Sequence, residues 1–150
     1  ESRQIEAGTR AVTIELGGHL IGLATCYDVR FPALFTHLAG LGAELILLPA
    51  SWAPGEAKLH QWRTLVTARA MDSTCFVVAV DQSVPPVATD GRTPTGIGHS
   101  LVVDPTGAVL LELGDADEVA LVDLDLGSVA GVRERLPVLQ HAARFNDARS

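Results

Sequence analysis

Two short runs, Glu44–Pro49 and Cys75–Val80, constrain the fold of this chain more than any other feature. A strand with one face in water alternates apolar and polar residues. A strand that reads Leu45-Ile-Leu-Leu48 without interruption is expected to be covered on both sides, the habit of strands in the middle of an α/β sheet. Helical patterns separate these runs. Phe31, Leu34, Phe35, Leu38 and Leu41 recur at helical spacing and stop at Gly40 and Gly42. A longer helix is predicted from about Ala57 to Asp72, with Leu59, Trp62, Leu65, Val66 and Ala70 on one face. The order strand, helix, strand implies right-handed crossovers. Upstream, Ala11–Leu16 and Leu20–Thr25 flank Gly17-Gly18 and read as a hairpin. Downstream, Leu101–Val103 and Ala108–Glu112 flank the turn Asp104-Pro-Thr-Gly107. Val119–Leu126 is predicted as a last alternating strand, and Gly131–Gln140 as a short helix closed by Pro137. The stretch Asp81–Gly98 is aperiodic and broken by Pro85-Pro86, Asp90-Gly91 and Pro94. A connection of that length reads as a lid or binding element. The fold class is α/β with a mixed sheet.

Composition narrows the function. With 150 residues, 47% hydrophobic and 19% charged, the chain can build one substantial core. A net charge of −7 without a Lys/Arg cluster argues against a nucleic-acid partner and an anionic membrane surface. No apolar run reaches membrane-spanning length. Two cysteines do not make a disulfide framework, so both are expected as free thiols in a reducing compartment, the cytoplasm. The chain opens on Glu1 rather than methionine, and we read it as a piece of something longer.

Cys26 carries the strongest chemical signal. It ends the apolar run His19–Thr25 and opens the turn Cys26-Tyr-Asp-Val-Arg-Phe-Pro32, where Pro32 suits the first turn of a helix. Thiolates are favoured beside helix N-termini and cations, and a strand-to-helix turn presents a nucleophile outward. The Tyr27 N–H, directly after the thiol, is a candidate oxyanion donor. Asp28 and Arg30 are expected to pin the turn as an ion pair. Of the five histidines, His99 in Gly98-His-Ser100 is best placed for the site, with a structural hydrogen bond as the competing reading. The scattered histidines and cysteines have no metal-ligand spacing, so no metal is expected. Neither a phosphate-binding glycine loop nor a Gly-x-Cys-x-Gly elbow is present.

The ordered motifs Gly22-Leu-Ala-Thr-Cys-Tyr-Asp-Val-Arg-Phe-Pro32, Leu48-Pro-Ala-Ser-Trp52, His60-Gln-Trp62, Ala68-Arg-Ala-Met-Asp72, Gly98-His-Ser-Leu-Val-Val-Asp-Pro105, Asp123-Leu-Asp125 and Arg133-Glu-Arg-Leu-Pro137 resemble the nitrilase superfamily of carbon–nitrogen hydrolases. Together they cover nearly the whole chain and are similar to the C-terminal half of its small aliphatic amidase branch. Ala33 and Asp72-Ser73 depart from the commoner residues of that pattern. The resemblance implies an αββα sandwich with mixed sheets, a homodimer or larger homo-oligomer, and no cofactor. It makes residues 1–150 part of one carbon–nitrogen hydrolase domain. It also implies a glutamate base, an oxyanion-stabilising lysine and a cysteine nucleophile that passes through a thioester. The cysteine matches Cys26. Glu1 matches a second active-site glutamate, and Trp52, together with the loop Asp81–Gly98, is expected to shape the pocket for a small amide or nitrile, with a plain core position for Trp52 as the competing reading. The base and the lysine have no matched residue here, because Lys58, the single lysine, follows the thiol in the chain. Amide hydrolysis of the intact protein is the leading expectation, with this polypeptide inactive alone. Nitrile or N-carbamoyl hydrolysis and a non-catalytic assembly role are the alternatives.

Overall fold

The computed structural model describes residues 8–85 and 95–142. Strands β1 (Val12–Leu16) and β2 (His19–Leu23) form the expected hairpin, with Leu16 opposite His19. Gly17 and Gly18 take φ of 60° and 84°, the left-handed angles that a two-residue turn requires and glycine adopts readily. Strands β3 (Leu45–Ala50) and β4 (Phe76–Asp81) follow β2 in parallel. The antiparallel strands β5 (Leu101–Val103) and β6 (Val109–Glu112) complete a six-stranded mixed sheet in the order β1-β2-β3-β4-β5-β6. Helix α1 (Pro32–Gly40) connects β2 to β3, and α2 (Lys58–Ser73) connects β3 to β4.

Both helices share one core with the sheet. Ile46, Leu48, Val77, Ala79, Leu101 and Val103 are buried in one cluster with Phe35, Leu38, Trp62, Val66 and Ala70. Burying a side chain the size of Leu38 or Phe35 stabilises by about 1.5–3 kcal/mol. Packing of α1 on β2 is close enough that a Cβ on Gly22 would stand 3.2 Å from Ile46 and Leu38. Glycine at that position lets the layers meet.

Among the described residues the two faces of β3 and β4 are covered unevenly: Ile46 and Leu48 are buried under the helices, while on the other face Phe76 is buried, Leu45, Leu47 and Val78 are half-buried, and Val80 is exposed. On that second face Val78, Val80, Val102, Leu111, Val119 and Val122 line an open groove of about 460 Å³. The segment Val119–Leu126 is not a strand. Val119 and Leu121 are 95% and 97% exposed, and alternation without a hydrogen-bonding neighbour does not make a ladder. The closing helix is two helices, α3 (Ser128–Arg135) and α4 (Val138–His141). Pro137, with no N–H to donate, caps the start of the second instead of closing the first. Arg133 fastens α3 to the sheet: its Nη2 donates to Ala43 O at 2.7 Å and lies 3.3 Å from Cys75 Sγ, while Nε donates to Thr74 Oγ1 at 3.1 Å.

Candidate active site

The carboxyl ends of the three parallel strands bring the candidate residues together, where open α/β sheets place their ligands. Cys26 follows β2, Ser51 and Trp52 follow β3, and Asp81 ends β4. Cys26 is partly buried and opens a short 3₁₀ turn, Cys26–Arg30, whose first N–H groups have no partner within the turn. The Tyr27 amide is one of them. Cys26 has φ of 46°, a strained angle for a residue with a Cβ. Its Sγ lies 3.8 Å from the Ser51 carbonyl. Cys75, the other free thiol, is fully buried against Ala43 O and Ser73 O, and burial pushes that thiol above its ordinary 9.0.

Asp28 and Arg30 do not pair, which corrects the expected ion pair. Three residues per turn set positions two apart on different sides of a 3₁₀ turn. Asp28 instead accepts the Thr25 N–H at 2.9 Å and gives its own N–H to Thr25 O at 2.9 Å, closing the turn on itself. Arg30 reaches away. Its Nη2 donates to Gln61 Oε1 at 2.9 Å, and its guanidinium sits 4.9 Å from the Trp52 ring centroid and 5.7 Å from that of Tyr27. Lys58 Nζ lies 5.2 Å from the same Trp52 ring, so two cations attend one indole. Trp52 is 4% exposed, packs on Trp62 at 5.4 Å and donates Nε1–H to Lys58 O at 3.0 Å. It is a core residue with one face turned to these cations.

His99 stands one layer further. Its carbonyl accepts the Trp62 indole N–H at 2.9 Å, and its Nδ1 lies 3.4 Å from Glu112 Oε1, which also accepts Arg63 Nε at 2.7 Å. The 3.4 Å approach lacks hydrogen-bond geometry, so it is an ion-pair contact at most. No hydrogen bond among the described residues joins His99 to Cys26 or Ser51. Glu1 lies outside the described residues.

Asp81 is the residue that sequence reasoning missed. Its carboxylate is buried and bridges two loops: Oδ1 accepts the Trp52 N–H at 2.6 Å and Oδ2 the Ile97 N–H at 2.8 Å. Desolvation raises this carboxyl above 3.8, partly offset by N–H donation from Trp52, Ile97, Gln82 and Gly98. The available signal was one acidic residue closing an otherwise apolar strand. Gln61 stands in the motif His60-Gln-Trp62, but only the fold sets it beside Arg30.

The carbon–nitrogen hydrolase family matches residues 1–134. A hydrolase of Mycobacterium tuberculosis is 42% identical over 97% of this chain and 54% of its own length. A deaminated glutathione amidase of Escherichia coli O157:H7 is 38% identical over 94% of this chain and 51% of its own. The chain thus spans about half the length of the curated relatives it matches. Among solved structures, Saccharomyces cerevisiae Nit3, described as a member of the nitrilase superfamily, superposes with a TM-score of 0.77 at 30% identity, over 92% of this chain and 49% of its own. A mutant of the Nesterenkonia amidase, described as showing covalent addition of the acetamide moiety of fluoroacetamide at the active site cysteine, superposes at 0.69 with 28% identity, over 89% and 48%. With its α/β fold, mixed sheet and matched sequence, this chain belongs to the carbon–nitrogen hydrolase family of the nitrilase superfamily.

Proposed function

We propose that the intact protein is an amidase that hydrolyses small non-peptide amides through a thioester on Cys26. The observation that carries this reading is the placement of the thiol: partly buried, at the head of a 3₁₀ turn, at the carboxyl end of a parallel strand. The amidase names of the relatives support the substrate class. In the first step a carboxylate base takes the Sγ proton, and sulfur bonds to the amide carbon. The Tyr27 N–H donates to the oxyanion. The C–N bond then breaks, and ammonia leaves with the proton returned by the base. Water, deprotonated by that base, adds to the thioester carbon. The C–S bond breaks, releasing the carboxylic acid and restoring the thiol. Asp28 holds the turn and Arg30 backs it through Trp52 and Gln61. Trp52 backs the site from the core, and His99 is assigned to the substrate side on the sequence reading. Glu1 is assigned as a second active-site glutamate on the motif match.

We read residues 1–150 as part of one carbon–nitrogen hydrolase domain. The glutamate base and the lysine implied by the family resemblance have no counterpart assigned among them. The intact protein is proposed to be a cytoplasmic homodimer or larger homo-oligomer, consistent with two free thiols and with the resemblance. Among the described residues no helix is long and apolar enough to cross a membrane. Cys26→Ala in the intact protein, assayed for ammonia release from a panel of small aliphatic amides, tests the reading. Release should fall at least ~10³-fold. Undiminished release sinks it, and turnover by the wild type of a parallel set of nitriles or N-carbamoyl compounds, with the amides untouched, moves the substrate class.

A further inference from the structure

Beyond Ala50 the β3–β4 ladder makes a last bond, Gln82 N–H to Ala50 O at 3.1 Å, and the chain leaves the sheet. The next peptide unit joins Ser51 to Trp52. Its two polar ends have different partners: the carbonyl faces Cys26 Sγ at 3.8 Å, and the N–H points the opposite way into Asp81 Oδ1 at 2.6 Å. A peptide group is planar, so fixing its N–H fixes its carbonyl. The other carboxylate oxygen holds the Ile97 N–H, which keeps the Asp81 side chain in one orientation. Ser51 Oγ adds a weaker tie, 3.1 Å to Gln82 Oε1.

We propose that Asp81 is a positioning residue for the nucleophile, aiming the Ser51 carbonyl at Cys26 by holding the N–H of the same peptide. A carbonyl oxygen in that place accepts from the thiol and repels negative charge that develops on sulfur. Freed from Asp81, the peptide can turn and offer its N–H to sulfur instead, which favours the thiolate.

This inference rests on Cys26 being the nucleophile, yet it can be read without turnover. The pH dependence of Cys26 carbamidomethylation by iodoacetamide, followed by mass spectrometry of its peptide in the intact protein, needs only the thiol. Absence of amidase activity would strike the proposed function and leave this readout standing. Asp81→Ala should lower the alkylation midpoint by about half a pH unit or more, the shift worth one ordinary hydrogen bond to the neutral thiol. Asp81→Asn loses the same charge but keeps an acceptor for the Trp52 N–H, and should stay near the wild-type midpoint. Equal shifts in both variants would reduce the effect to lost charge and overturn the proposal, as would no shift or an upward shift in Asp81→Ala. Should the alanine variant lose its cooperative melt, Asp81→Val, near-isosteric and suited to a strand, takes its place. Failure of both to fold would also overturn it, making Asp81 a residue of the fold rather than of the nucleophile.

Discussion

Trp62 is the side chain on which the helical layer and the candidate site both depend, and Trp62→Phe tests that dependence. Its indole is fully buried between α2 and the sheet and donates to His99 O at 2.9 Å. A phenyl ring leaves that carbonyl without its donor, at about 1–3 kcal/mol. The smaller ring also leaves unfilled space at a site with no exposure, worth roughly 1 kcal/mol for a partial truncation. Together these amount to about 2–4 kcal/mol, a large share of the ~5–15 kcal/mol that holds an ordinary domain folded. In urea, with a slope of roughly 1–3 kcal/mol per molar, the midpoint of the intact protein should fall by about 1 M or more at unchanged slope. Far-UV circular dichroism is the suitable probe, because replacing Trp62 also changes the fluorescence. A shift under about 0.3 M would refute the reasoning: neither the indole hydrogen bond nor the filled volume would then carry the load assigned to it.

Arg133→Met should destabilise by about 1–3 kcal/mol and loosen α3, because the Ala43 carbonyl loses its charged donor, keeping only the Cys75 thiol, and Thr74 Oγ1 loses the Nε bond; hydrogen exchange over residues 128–135 checks this, and unchanged protection contradicts it. Arg30→Lys should lower kcat/KM by roughly tenfold, since an ammonium cannot keep both the Gln61 bond and the flat stack on Trp52; wild-type kinetics would remove Arg30 from its supporting role. Asp81 has a pH signature of its own. Its folded carboxyl binds a proton more tightly than the unfolded one, so the stability attached to it is full below pH 3.8 and is lost as pH rises through the raised value. Wild-type stability minus that of Asp81→Asn, from urea midpoints between about pH 3 and pH 7, should therefore decline with pH, and a flat or rising difference counts against the assignment.

The parts of this fold that are legible in sequence are those set by local periodicity. The Gly17-Gly18 hairpin, the apolar runs of β3 and β4 and the stripe of α2 follow from neighbours within a few positions. Val119–Leu126 shows the limit. Its alternation is genuine, but a strand is a relation between two segments, and among the described residues this one has no neighbour to pair with. The same holds for Leu136-Pro137, where the helical pattern runs on but the backbone chemistry of proline divides it. At the site, Cys26 stood out because chemistry and turn signals coincide on it. Asp81, Gln61 and Ser51 carry no such local mark. Their roles come from three strand ends converging, which the spacing of residues 26, 51 and 81 along the chain does not reveal.

The left-handed backbone at Cys26 sets stability and chemistry against each other at a single position. Among the described residues, four with a Cβ adopt such angles: Cys26, Ala57, Thr74 and His99. At exposed Ala57, just ahead of α2, glycine would relieve a strain of about 1 kcal/mol at the cost of one exposed methyl. At position 26 the same exchange would relax the turn and delete the thiol. A selection for thermal resistance alone, blind to turnover, would accept glycine at both places. Only a selection that also demands chemistry would hold cysteine at 26, so the residues recovered there would tell the two pressures apart.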